Sequence, residues 1–267
     1  MIRHSSKKNR SHYRVKDFVK DVGFDAFNTL KYFRHNLRLG LTRQNHFLFP
    51  SNEPPIILLQ GFLGTSGVLD PLSRFLQKNK RNVFILDLGL VNIRDIRESA
   101  ERLVFEVERI IDLYSKEHHF KKIDIVAHSM GGLIAYYYIK KIGGHRLIRK
   151  LVALGSPFRG TWSAAVGAIL FGFLSRGVWQ MLPNSKFLRD LHITHQRKIE
   201  TQIYSIAAQH DTISTPESCF LKGATNRVLP LGHASLLMDH RVFENILQFL
   251  EDKDEATNVV AFEHFRT

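Results

Sequence analysis

Apolar and polar positions follow two rhythms along this chain. Between residues 13 and 39, Val15, Phe18, Val19, Val22, Ala26, Leu30, Phe33 and Leu37 recur at steps of three and four, which predicts one amphipathic helical face. The stretch "FPSNEPP" ends that pattern near residue 50. Beyond it, short apolar runs alternate with longer helical patterns. "PIILLQ", "NVFILDL", "KIDIVAHS", "KLVALGSP", "QIYSIAAQHD" and "NRVLPLGH" read as strands. "VLDPLSRFLQKN", the face from Ile96 to Tyr114, "GLIAYYYIKKI" and "LLMDHRVFENILQFLED" read as helices. Alternation of this kind predicts an α/β fold, a mostly parallel central sheet with helices on both faces. One segment breaks the rhythm: residues 158–198 hold "WSAAVGAILFGFL", apolar nearly all round, too short to span a bilayer and too long for an ordinary connection. It reads as an inserted helical cap. The expected organisation is an extension over residues 1–50 and one domain over residues 51–267 that carries the cap.

Composition changes this picture mainly at the amino end. A chain of 267 residues, 44% hydrophobic, suffices for one α/β domain with a large core. Its single cysteine, Cys219, can form no intramolecular disulfide. The formal charge of +13 is uneven, because residues 1–50 carry eleven Lys or Arg against three Asp. A basic amphipathic helix of this kind has two readings: a helix packed on the main domain, or an interfacial helix on an anionic membrane. Nucleic acid is not the expected partner, since aromatics are not interleaved with the charges and no recognition motif appears. No signal-peptide core or spanning run is seen, so the expectation is a cytoplasmic or peripheral membrane protein.

The chemistry is concentrated in "IVAHSMGGL", residues 125–133. A tight strand-to-helix turn needs only glycine, yet here Ser129 stands at the turn. A nucleophile placed there is thrust above the sheet edge, and its neighbours two residues away on either side must be small so that strand and helix can approach. Ala127 and Gly131 supply that smallness. The rival reading is a serine that caps the helix and does no chemistry.

A serine nucleophile needs a base, and the base needs an orienting carboxylate. Asp211 ends one later strand pattern and His233 ends the last, which places both at the sheet edge that carries Ser129. Glu217 is the fallback acid and His240 the fallback base; Asp211 as a mere turn former and His233 as a helix cap are the structural alternatives. His128 and His210 read as neighbours that pack or face substrate. The glycine-rich bend in "LLQGFLGTSG" supplies the second oxyanion donor, so the expected pair is the backbone N–H groups of Phe62 and Met130. A phosphate-cradling loop is disfavoured because no G-K-[ST] follows.

These residues resemble the α/β-hydrolase superfamily, and within it the bacterial triacylglycerol lipases and esterases. The resemblance rests on "IVAHSMGGL" followed by "VALGSPFRGT" and covers about three quarters of the chain, Ile56 to Leu250. It extends to lipase-like deacylases that act on glycosylphosphatidylinositol. It implies a serine acyl-enzyme mechanism with neither cofactor nor metal, a lipid or small ester substrate, and an apolar acyl pocket under the cap. Trp162, Leu170, Phe171, Phe173 and Trp179 are the expected substrate-binding or lid residues, in a cap that either moves or packs in place. Two departures stand out: Gln60-Gly61 replaces the usual His-Gly of the oxyanion loop, and the basic extension is absent from minimal lipases. An acyltransferase or phospholipid deacylase on the same triad is the enzymatic rival, and a membrane-associated binding module the non-enzymatic one.

Overall fold

The computed structural model describes residues 27–37, 53–89, 92–118, 121–165, 175–193 and 199–251. Six strands form one wholly parallel sheet: β1 (Ile56–Leu59), β2 (Val83–Ile85), β3 (Ile123–His128), β4 (Ile148–Leu154), β5 (Gln202–Ala208) and β6 (Thr225–Leu229). Their spatial order is β2-β1-β3-β4-β5-β6. The sheet is therefore an open α/β sheet of the α/β-hydrolase type.

Period-2 alternation divides the core between the two faces. Ile57, Leu59, Ile125, Ala127, Leu151 and Ala153 join one buried cluster, while Ile56, Leu58, Val126, Val152 and Leu154 join the other. The helices follow the same logic. A helix over residues 27–37 is α1. Next come α2 (Asp70–Lys78), α3 (Ile96–His118) and α4 (Met130–Tyr137). On α3 the predicted face is the buried one, with Ile96, Ala100, Leu103, Val107, Ile110 and Tyr114 all on the first cluster. Leu72 and Leu76 of α2 lie on the second. Leu133 and Ile134 of α4 lie on the first, so the connections after β1 and β3 leave toward opposite faces, and open sheets of this kind form their binding crevice at such a switch point, outside the carboxyl ends of the strands.

Two short helices, α5 (Arg176–Gln180) and α6 (Lys186–His192), belong to the expected cap. Ser175 and Ser185 cap them through their side chains. Gln180 ties the cap to the start of α3, accepting from Ile96 N at 2.8 Å and donating to Asp95 at 2.7 Å. Residues 166–174 and 194–198 of the expected cap lie outside the described residues. Then α7 (Pro216–Cys219) follows β5, and α8 (His240–Leu250) follows β6. The last helical pattern read as one element, but a 3-10 turn at Ala234–Leu237 precedes α8, and Asp239 caps the helix proper through a bond from Arg241 N.

At the amino ends of the strands, fully buried Asp124 accepts from Arg149 at 3.0 and 2.7 Å and from Arg81 at 3.4 Å. Beside it, the buried Lys150 Nζ donates to the carbonyls of Phe249 and Leu250 at 2.6 and 3.3 Å, fixing the end of α8. Among the described residues no helix is long and apolar enough to cross a membrane.

Helix α1 does not pack as the apolar pattern predicts. Phe27, Leu30, Phe33 and Leu37 are all more than half exposed, whereas Asn28 is fully buried and Tyr32 packs against the second core cluster. The helix docks on the domain through its polar and aromatic edge, Asn28, Tyr32 and Asn36, spaced four residues apart. Residues 15–26 of the predicted face lie outside the described residues.

Candidate functional site

Ser129 is the single residue between strand β3 and helix α4. The backbone of Ser129 has φ +52° and ψ −122°, a conformation that L-residues rarely adopt and that persists only when its surroundings impose it. Those surroundings are visible in the packing. A Cβ on Gly131 would lie 2.9 Å from the Gln60 carbonyl oxygen, and one on Gly61 would lie 2.8 Å from the Ser129 Cβ. Although Ser129 occupies the N-cap position of α4, its side chain makes no capping hydrogen bond. The hydroxyl is not used by the helix.

Asp211 and His233, 22 residues apart in sequence, come together after β5 and β6: His233 Nδ1 and Asp211 Oδ2 are 2.6 Å apart. The other carboxylate oxygen of Asp211 accepts from Ile213 N at 2.8 Å and Ser214 N at 2.7 Å. One oxygen thus builds the turn while the other holds the imidazole. His233 stands at the N-cap of the 3-10 turn without capping it through its side chain. The fallback residues are elsewhere: Glu217 lies in the first turn of α7, and His240 pairs at 3.1 Å with exposed Glu244.

Ser129 and His233 share the lining of a cavity of about 480 Å³, within the range of small-molecule sites. Phe62 and Leu63 of the loop after β1 line it too, as do His128 and His210. Its apolar wall includes Ala164, Val178, Met181 and Ile213. Part of the wall was not anticipated from the sequence: Thr29, Tyr32, Phe33 and Asn36 of α1. The readable signal was the spacing of Asn28, Tyr32 and Asn36 along a helix whose apolar stripe drew the attention instead. Of the expected lid residues, Trp162 and Trp179 are 74% and 52% exposed and do not line the cavity, and Leu170, Phe171 and Phe173 lie outside the described residues.

His128 is buried with its ring 4.6 Å from that of His233, and neither of its nitrogens has a hydrogen-bond partner. Burial first, then the charge of His233, pushes its pKa well below the usual 6.5. It is a neutral wall of the site. Tyr32 sits 6.2 Å from the same ring, and burial pushes its phenol up to about 12. Burial likewise raises the Cys219 thiol, which keeps it protonated and a poor nucleophile. Among the described residues no cluster of three or more His, Cys, Asp or Glu is placed to hold a metal ion.

Known proteins share this framework. The lysosomal thioesterase PPT2-B of Xenopus laevis is 26% identical over 108 residues, 40% of this chain and 37% of that protein. The Bacillus licheniformis lipase BlEst2 in its propeptide form is similar in structure with a TM-score of 0.66 at 17% identity, over 79% of this chain and 53% of that one. In its mature form the TM-score is 0.64 at 18% identity, over 74% and 92%. At these identities the likeness is one of fold. The chain spans little more than a third of the thioesterase and about half of the propeptide-form lipase. A family model described as an alpha/beta hydrolase of unknown function (DUF915) matches residues 76–218, a span that holds Ser129 and Asp211 and excludes Phe62, His233 and α1. With more than half of its length matched, and with the parallel sheet and strand-to-helix elbow in place, the chain belongs to this family of α/β-hydrolases.

Proposed function

We propose that this α/β-hydrolase is a serine ester hydrolase that cleaves carboxylic esters with lipidic acyl chains. The observation that carries the reading is Ser129 in a strained elbow, its hydroxyl unused by α4, on the wall of a cavity it shares with the Asp211-held His233. In this reading Ser129 Oγ attacks the ester carbonyl while His233 takes its proton. Asp211 keeps Nδ1 protonated, so that Nε2 is the accepting nitrogen. The amides of Phe62 and Met130, the latter at the amino end of α4, stabilise the oxyanion. Collapse of the tetrahedral intermediate breaks the bond to the alcohol, which leaves with the proton from His233. Water, deprotonated by His233, then attacks the acyl-enzyme and releases the carboxylic acid. The apolar wall formed by Phe33, Phe62, Leu63, Val178, Met181 and Ile213 supports an acyl rather than a polar substrate.

A series of p-nitrophenyl esters tests this: hydrolysis rising from acetyl to decanoyl is expected. Preference for acetyl would remove the lipidic acyl chain from the reading, and no hydrolysis of any ester would remove the hydrolase.

The thioesterase relative favours a second reading, in which a thiol is the leaving group and the acyl-enzyme is the same. Paired oxygen esters and thioesters of one acyl chain separate the two by kcat/KM. The N-terminal segment enters the proposal as a contact with anionic membrane. Support comes from the exposed Phe27, Leu30, Phe33 and Leu37 beside Lys31 and Arg34 on α1. Binding to neutral vesicles as tight as to anionic ones would contradict it.

A further inference from the structure

We infer that Asn36, in the N-terminal extension, is a positioning residue that holds the oxyanion loop in its working shape; the inference rests on the reading of Ser129 as an acyl-transfer nucleophile. The loop from Gln60 to Thr65 carries the Phe62 amide, and among the described residues that amide donates no backbone hydrogen bond. The loop is poorly suited to hold itself. Leu63 has φ +54°, in the left-handed region that a branched side chain disfavours. Inside the loop only Gly64 N closes a turn, on Gly61 O at 3.2 Å.

Its shape is imposed by two asparagines from elsewhere in the chain. On one side buried Asn92 donates through Nδ2 to Gln60 O at 3.1 Å, and its backbone carbonyl accepts from Leu63 N at 3.4 Å. On the other side Asn36 Nδ2 donates to Leu63 O at 3.2 Å, Asn36 Oδ1 accepts from Thr65 N at 2.8 Å, and the Asn36 carbonyl accepts from Thr65 Oγ1 at 3.1 Å. Both ends of one amide side chain are thus matched to a carbonyl and an N–H on either side of Gly64. The Phe62 amide lies between the peptide unit held by Asn92 and those held by Asn36. An oxyanion donor acts only if its N–H is already aimed when charge develops, and a loop free to relax from the strained Leu63 conformation loses that aim. The extension is therefore part of the catalytic apparatus, although it lies outside the span that the family model matches.

The test compares full-length wild type with Asn36→Ala, Asn36→Asp and Glu101→Gln, the last on the exposed side of α3. Two quantities are read: kcat and KM for a p-nitrophenyl ester, and amide hydrogen exchange at residues 63–65. For Asn36→Ala, kcat is expected to fall about 10- to 100-fold, less than full removal of an oxyanion donor, with KM little changed and faster exchange at Thr65. Asn36→Asp keeps the acceptor for Thr65 N but lacks the donor to Leu63 O, and should fall between. Glu101→Gln should match wild type. Wild-type kcat in Asn36→Ala, a loss expressed only in KM, or unchanged exchange at Thr65 would each overturn the inference. Absence of ester cleavage by wild type would instead sink the hydrolase reading, and the exchange measurement would still decide whether Asn36 holds the loop.

Discussion

At the amino ends of the strands, Asp124 is fully buried yet faces two guanidinium groups, and Lys150 spends its ammonium on the last carbonyls of α8. At the carboxyl ends of the same strands, Ser129 is held at φ +52° with its hydroxyl unused by α4, and both nitrogens of buried His128 lack partners. The first edge spends polar groups on fastening the fold. The second keeps them strained or unsatisfied, and each buried group left without a partner costs about 1–3 kcal/mol. Strain of this sort survives only where the rest of the structure over-determines it. The difference teaches where to look for chemistry: the buried carboxylate at the first edge is structural because two guanidinium groups neutralise it, even though Arg81 Nε and Nη1 find no partner there, and the edge that holds a strained serine is the candidate site.

Substitutions at the two edges should therefore separate activity from stability. The largest effect is expected from Asp211→Asn, which leaves the turn acceptor Oδ1 in place but no longer fixes the imidazole tautomer. Ester hydrolysis should fall about 10⁴-fold with the unfolding midpoint nearly unchanged. A large stability loss without loss of kcat would break the comparison. Asp124→Ala should do the reverse, destabilising the protein by about 3–5 kcal/mol in denaturant unfolding because Arg81 is left buried without its carboxylate, while kcat of the folded fraction holds.

An intermediate effect is expected at Gly61, where a Cβ would press on Ser129. Gly61→Ala should lower kcat about 100-fold by displacing the oxyanion loop, and the overpacking should cost about 1–3 kcal/mol of stability. The smallest effect is a pH dependence of stability. Because the His128 pKa is pushed well below 6.5 in the folded protein, the unfolded chain alone takes up a proton as pH falls below about 6.5. Stability from this group is complete above that pH and declines below it, by at most about 1.4 kcal/mol per pH unit. His128→Gln should flatten that acid slope, as read from unfolding midpoints between pH 7 and pH 5.

The sheet was legible in the sequence because each strand is a short apolar run bounded by turn residues, and burial on both faces leaves little else such a run can do. Asp211 and His233 were legible from their places at the ends of strand patterns. The role of α1 was not. Its apolar stripe predicts burial of Leu30, Phe33 and Leu37, but the helix turns Asn28, Tyr32 and Asn36 inward instead. Asn36 finds its partners in a loop 27 to 29 residues away, and periodicity carries no information about such long-range hydrogen bonds. The Asn92 contact to Gln60 was hidden for the same reason. The proline-marked boundary near residue 50 sets the extension off from the main domain in sequence, and nothing in that pattern shows that α1 helps to line the cavity.

The central claim is that Ser129 is the nucleophile. Labelling with a fluorophosphonate probe, wild type beside Ser129→Ala, tests it most directly, with the modified peptide identified by mass spectrometry. The account predicts one phosphonyl adduct on Ser129 in wild type and none in the variant. Equal labelling of the two proteins, or an adduct on another residue, would contradict it.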